Sequence, residues 1–185
     1  MSNFNSKLRG LLYLVGFIWA AFALDQLTPI NLLGYGILPR DPSRLWGVLL
    51  WPFLHANLSH IGNNTITLLV FGAIISLRSS SKRFLLVSFL ITLYGGLGVW
   101  LFGRPELHVG ASGLVFGYFG YILTSGIYDG KISSVLISTA VMILFGGMIW
   151  GILPTQARVS WEGHLFGFLA GVVLAVRSKP RRKRF

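Results

Sequence analysis

The sequence predicts an all-α membrane protein, a bundle of six transmembrane helices whose long first connection lies at the membrane interface. Of its 185 residues, 54% are hydrophobic and only 11% are charged. A soluble domain carries about a quarter charged residues, so part of this surface must face lipid. A membrane-spanning helix needs about 20 apolar residues, and six such segments are present. They are 11–28, 60–77, 84–102, 112–127, 132–153 and 163–177.

The connections between these segments differ in positive charge. If the segments cross in succession, twelve of the 16 Lys and Arg residues fall on one side of the membrane. The other side receives Arg40, Arg44, Arg104 and Arg158. The positive-inside rule assigns the richer side to the cytoplasm. We therefore expect a multi-pass protein of the cell (inner or plasma) membrane with both termini in the cytoplasm.

The six segments, the first connection and both ends of the chain are predicted to form a single membrane domain, 1–185. The run 11–27 is too long for a signal-peptide core and lacks a cleavage site, which favours a retained helix. Residues 28–59 contain four prolines besides Trp46, Trp51 and Phe53. Prolines interrupt helices and aromatic rings favour the membrane interface, so we expect short interfacial helices there. The basic tail, 178–185, is expected to favour anionic lipid headgroups and not nucleic acid, because no base-reading element accompanies it.

Ser112 is the first candidate functional residue, because it is a polar residue within the apolar stretch HVGASGLVFGYFGYIL, 108–123. Small residues at four-residue spacing allow close packing of transmembrane helices, and this interpretation stays open. However, Gly110 and Ala111 follow a loop with Pro105, so the serine is predicted to lie where a helix begins. Helix starts carry unpaired N–H groups and partial positive charge, which can stabilise an oxyanion.

His164 is the second candidate, on the last apolar segment. Gly163, Gly167 and Gly171 repeat every four residues and leave one side of that helix without side chains. The serine segment has a similar side at Gly113 and Gly117, so the two helices are predicted to pack closely. The imidazole would then reach the Ser112 hydroxyl, and a serine becomes a good nucleophile only beside a base. Because all five Asp and Glu residues fall in loops or at segment ends, none is expected to be buried, and a catalytic site would be a dyad.

Other polar and aromatic residues fit around this pair. His60 and Asn64 share one helix face, as an interhelical clasp or as hydrogen-bond donors to an oxyanion. His55 is expected to hold the first connection. Phe116, one turn after Ser112, could orient the imidazole or fill the core. With no cysteine, disulfides and thiolate chemistry are excluded, and we expect neither a metal nor a cofactor.

Together these residues resemble the rhomboid intramembrane serine proteases. The match consists of Gly110-Ala111-Ser112-Gly113, of His164 with Gly167, and of His55, His60 and Asn64. Three details depart from the family pattern. Phe116 stands where Tyr is frequent, Trp51 stands where a further histidine is frequent, and the first connection lacks a Trp-Arg pair, with only Arg44 and Trp46 nearby.

The resemblance implies a function and a set of roles. Ser112 would be the nucleophile and His164 the general base and acid, with His60 and Asn64 as oxyanion donors supported by Gly110. The substrates would be single-span membrane proteins, entering between the second and fifth segments and cut where Gly, Pro or polar residues weaken their helix, after a small residue. The oligomeric state is left open.

Other functions fit these residues less well. A catalytically inactive relative that binds or escorts membrane proteins remains the alternative. A transporter or channel is disfavoured because no repeated half is present. HExxH and paired membrane aspartates are both missing. A zinc site of His55, His60 and His164 would have no carboxylate and a poor ligand in the asparagine.

Overall fold

The computed structural model describes residues 2–154 and 159–178, and in this part of the chain the regular structure is helical. The helices are, in order, α1 Ser2–Leu27, α2 Gly47–Leu50, α3 Leu58–Leu77, α4 Ser81–Phe102, α5 Ser112–Tyr128, α6 Ile132–Phe145 and α7 Trp161–Arg177. A 3-10 segment, Gly146–Ile152, extends α6. Arg158 and the part of the predicted basic tail that follows Ser178 lie outside the described residues.

Four of these segments are long and apolar enough to cross a membrane. They are Phe4–Leu27, Leu58–Leu77, Ser81–Phe102 and Ile132–Ile152. The remaining two long helices, α5 and α7, have 17 residues each. The structure therefore confirms a bundle of apolar helices. That α5 and α7 also cross the membrane, which would give six spans, stays a prediction.

The connection between α1 and α3 contains short helices only. Besides α2, these are the 3-10 turns Leu32–Tyr35, Pro42–Arg44 and Trp51–Phe53, two of which have a proline in their first two positions. An antiparallel bridge joins Ile37 to His108 in the connection before α5. The first connection is thereby fixed to the segment that leads to Ser112.

Helix α5 lies at the centre of the bundle. Most of its residues are buried, and it packs most extensively on α7 and then on α6 and α3. Tyr118, Phe119 and Leu114 of α5 belong to the main hydrophobic core together with Phe71 of α3 and Phe84 of α4. The residue at the start of α5 is consequently held by a helix that is surrounded by other helices.

Candidate active site

Ser112 and His164 are brought together by the packing of α5 on α7. The Nε2 atom of His164 lies 3.0 Å from the Ser112 hydroxyl oxygen, although the residues are 52 positions apart in sequence. Ser112 is the first residue of α5, and His164 is in the first turns of α7, where it is 9% exposed. The distance is that of a hydrogen bond.

The orientation of the His164 ring follows from its other contacts. Its Nδ1 atom lies 2.9 Å from the carbonyl oxygen of Gly151. A carbonyl oxygen can only accept, so Nδ1 of the neutral ring carries the proton, and Nε2 is left to accept from Ser112. The Phe116 ring stacks on the imidazole, with centroids 4.1 Å apart and planes 8° from parallel. Sequence reasoning found Phe116 but missed Gly151, because a backbone carbonyl leaves no residue signature.

Glycines allow the two helices to approach this closely. A Cβ atom on Gly167 would overlap the carbonyl group of Gly113, and a Cβ atom on Gly171 would overlap that of Gly117. Such contacts join backbone to backbone, as small residues do between transmembrane helices. The predicted pairing of the two glycine sides is thus present in the structure.

His60 and Asn64 line the same site from α3. Gly110 has φ +116, a conformation that side chains rarely adopt, and a Cβ atom there would lie 2.6 Å from His60 Nε2. Glycine is therefore required at this position for its backbone shape and for space. The His60 ring also contacts the His55 ring edge to face, with centroids 5.0 Å apart.

His55 reaches further into the site than the loop-holding role that we predicted for it. Its Nε2 atom lies 3.2 Å from the backbone nitrogen of Ala111 and 3.1 Å from Nδ2 of Asn64. A backbone N–H can only donate, so Nε2 accepts, and the Asn64 amide points its nitrogen toward His55. Burial, followed by the nearby His60, lowers the pKa of His55 to about 4. The ring therefore stays neutral, and remains an acceptor, near neutral pH.

Trp51, one of the departures from the family pattern noted above, fills a slot between helices. A Cβ atom on Gly113 would overlap its ring, and those on Gly96 and Gly163 would lie 3.1 Å from it. The Trp51 carbonyl oxygen accepts from the backbone N–H of Gly110 at 2.8 Å. The ring is 1% exposed, so it joins the first connection to α4, α5 and α7 just behind Ser112.

One sequence-based expectation is wrong: Glu162 is buried. It lies at the start of α7, as expected, but only 1% of it is exposed, because Arg104 covers it. Arg104 Nε lies 2.6 Å from the carboxylate, and the Arg104 backbone N–H donates to it at 3.1 Å. The partner of this carboxylate is thus an arginine and not His164, which leaves the serine and histidine as a pair.

A second contact joins the same two segments. Nδ1 of His108 lies 2.6 Å from the Ser160 hydroxyl, and Nε2 lies 3.1 Å from the Arg104 carbonyl oxygen. Burial is the main cause that lowers the pKa of His108, which keeps the ring neutral. In that form Nε2 donates to the carbonyl and Nδ1 accepts from the hydroxyl. The His108–Ser160 contact and the Arg104–Glu162 pair therefore fix the segment before α5 to the start of α7.

A cavity of about 450 Å³ opens onto these side chains. It is lined by the site residues Ser112, His164, His60 and Asn64, and by residues of the two connections described above. Both polar groups and space for water are present beside the hydroxyl. Within residues 2–154 and 159–178, no three His, Asp or Glu side chains are grouped so as to hold a metal ion.

Comparison with known proteins identifies a family. The Rhomboid domain model matches residues 42–180. An uncharacterized protein of Mycobacterium tuberculosis is 39% identical over 183 residues, which cover 94% of this chain and 76% of that protein. RHOMBOID-like protein 4 of Arabidopsis thaliana is 34% identical over 71% of this chain and 34% of its own length. Rhomboid-like protease 3 of Toxoplasma gondii is 29% identical, over 89% of this chain and 64% of its own.

Proposed function

The chain belongs to the rhomboid family and is a multi-pass membrane protein, and we propose that it is an intramembrane serine endopeptidase with a Ser112–His164 dyad. The observation that carries the proposal is the 3.0 Å contact between His164 Nε2 and the Ser112 hydroxyl. The tautomer required by the Gly151 carbonyl supports it, because Nε2 is then free to take a proton. The neighbouring cavity would supply water to a site enclosed by apolar helices.

In the first half of the reaction, the Ser112 oxygen attacks the scissile carbonyl carbon while His164 Nε2 takes the hydroxyl proton. The C–O bond that forms gives a tetrahedral oxyanion. When this intermediate collapses, the C–N bond breaks and His164 returns the proton to the leaving amine. In the second half, water from the cavity attacks the acyl-serine carbonyl carbon while His164 Nε2 takes its proton. The ester C–O bond to Ser112 then breaks, and His164 returns the proton to the Ser112 oxygen.

The developing oxyanion needs donors on the side of Ser112 that faces α3. The N–H groups at the start of α5 have no partner within the helix. Asn64 gives one amide hydrogen to His55 and has a second to offer, and His60 stands beside Gly110. Removing one such donor typically lowers kcat about a hundredfold or more. We assign His60, Asn64 and the Ser112 N–H to this role, with Phe116 as the residue that holds His164 in place.

The arrangement in the membrane belongs to the same proposal. We place six spans, α1 and α3 to α7, in a cell membrane with both termini in the cytoplasm and the Ser112 cavity at the opposite side. Single-span substrates would enter between α3 and α6, as the family resemblance implies. No cofactor or metal takes part in the proposed steps.

The test of this function is cleavage of a generic single-span substrate in liposomes by purified protein. Ser112→Ala and His164→Ala should each lower kcat by about 10⁴-fold or more, and Ser112→Ala should also abolish labelling by a fluorophosphonate. Ser6→Ala, which removes an exposed serine near the start of α1, is the matched control and should remain active. A wild-type protein that neither cleaves nor labels would favour the alternative of a binding or escort factor.

The substrate should be a helix that unwinds easily. A carbonyl inside a helix is already hydrogen-bonded to the chain four residues on, so it reaches Ser112 only after local unwinding. We expect a span with Gly-Pro near the cut to be cleaved at least about tenfold faster than a poly-Leu span, because those residues cost a helix about 1 and 3 kcal/mol. Equal rates on the two substrates would contradict this requirement.

A further inference from the structure

A second cavity lies at the end of the bundle opposite Ser112, and we propose that it binds the phosphate group of an anionic phospholipid. This cavity, the basic cavity, has a volume of about 460 Å³ and is lined by residues of α3, α4, α5 and α6, of the turns next to them, and by Ser178 after α7. Three cations stand in its wall, and they are Arg78, Arg83 and Lys131. The proposal does not depend on the proposed protease activity.

The charges in the wall are not balanced by the protein. Arg78 reaches Asp129 at 3.8 Å and also donates to the Ser134 hydroxyl, which itself donates to Asp129 at 2.9 Å. Within the described part of the chain, neither Arg83 nor Lys131 forms an ion pair. Two uncompensated positive charges therefore face one cavity, where an anion would relieve their repulsion.

No other Asp or Glu side chain of the protein supplies the missing charge. Of the five Asp and Glu residues, Asp25 and Asp41 bind the first connection, and Glu106 and Glu162 contact Arg104 at the Ser112 end. The sequence beyond Ser178 contains no Asp or Glu. Asp129 is thus the single acid at this end, and it is already engaged by Arg78.

The rest of the wall fits a phospholipid better than a free ion. The hydroxyl groups of Ser125 and Ser133 also line the cavity, and these can donate to phosphate oxygens. The rest of the lining is mainly apolar, with Ile74, Ile75, Tyr121, Ile122 and Ile137. A lining that combines cationic and apolar side chains matches a headgroup joined to acyl chains, and basic pockets between transmembrane helices bind such headgroups.

The experiment measures lipid retention by the full-length protein in detergent with native mass spectrometry. Phosphatidylglycerol and phosphatidylcholine with identical acyl chains are compared, and inorganic phosphate is added as a competitor. The test variant is Arg83→Gln with Lys131→Gln. The matched control is Arg9→Gln with Lys82→Gln, which removes two exposed cations at the same end that do not line the cavity.

The proposal expects phosphatidylglycerol to be retained over phosphatidylcholine, and to be bound about fivefold more weakly for each cavity charge removed, since each is worth about 1 kcal/mol. The control variant should bind as wild type does. Competition by inorganic phosphate would identify the phosphate group alone as sufficient, whereas no competition would identify the lipid as the ligand. Equal retention of both lipids, or an equal loss in the control variant, would overturn the proposal.

Discussion

At the scale of single residues, the orientation of His164 depends on groups other than a carboxylate. The Gly151 carbonyl fixes the tautomer, and the Phe116 ring covers one face of the imidazole. In serine hydrolases with three catalytic residues an acid performs both tasks. Here the buried acid nearest in sequence, Glu162, is bound to Arg104 instead. The tasks are divided between a backbone atom and a hydrocarbon ring.

Replacing Phe116 tests this division of tasks. Phe116→Leu should lower kcat about tenfold with little change in KM, because an aromatic stack is worth about 0.5–1.5 kcal/mol. Without the stack, only the Gly151 carbonyl would still orient the His164 imidazole. Initial rates over a range of substrate concentrations give both constants. Phe119→Leu, on the same helix but stacked on Phe71, is the control. If it lowers kcat as much as Phe116→Leu does, the stack has no special role.

His55 gives a prediction on stability because its pKa is lowered to about 4 by burial and by His60. The unfolded chain, with an ordinary histidine pKa of about 6.5, binds more protons than the folded one between these values. Stability should therefore fall as the pH is lowered from about 6.5 to about 4. His55→Gln keeps an acceptor for the Ala111 N–H but does not titrate.

The comparison is made by thermal unfolding in detergent at about pH 7 and at about pH 4.5. The loss of stability on acidification should be smaller in His55→Gln than in wild type, by up to about 1.4 kcal/mol per pH unit. His108, whose pKa is also lowered, contributes equally to both proteins. Identical losses would mean that His55 does not remain neutral in the folded state.

At the scale of helices, the geometry of the site is set by the contact of α5 with α7. Gly167→Ala places a methyl group against the Gly113 carbonyl, which cannot move without moving α5. We expect this substitution to lower kcat at least about tenfold, since a displacement of about 1 Å can cost a hundredfold in rate. Gly16→Ala on α1, where no atom lies within 4 Å of the added carbon, should leave the rate unchanged. Cleavage assays at equal folded protein check both.

Helix packing is also where the sequence was most informative. The four-residue repeats of glycine on both segments point to the shared face, and the motifs around Ser112 and His164 lie on those faces. The slot that holds Trp51 has no such pattern, because its three glycines belong to three different helices. Glu162 was misjudged for a related reason. Position at the end of an apolar segment indicates exposure, and only the fold shows that Arg104, 58 residues away, covers it.

At the scale of the whole molecule, the Arg104–Glu162 ion pair links two segments at the end of the bundle that contains the site. The pair joins the connection before α5 to the start of α7, and His108 with Ser160 lies beside it. The partners differ in environment, since the Arg104 side chain is 32% exposed and that of Glu162 only 1%. The two single substitutions should therefore not be equivalent.

Arg104→Gln leaves a carboxylate buried without its counter-charge, and breaking a buried pair in this way costs about 3–5 kcal/mol. Glu162→Gln leaves an arginine that can turn to water, so we expect a loss nearer to about 1 kcal/mol. Unfolding midpoints in detergent measure both. The double variant, Arg104→Gln with Glu162→Gln, should be more stable than Arg104→Gln alone, because its buried group is then neutral. If Glu162→Gln is the more damaging single change, the carboxylate has a task other than pairing with Arg104, and a direct part in the site would have to be sought for it.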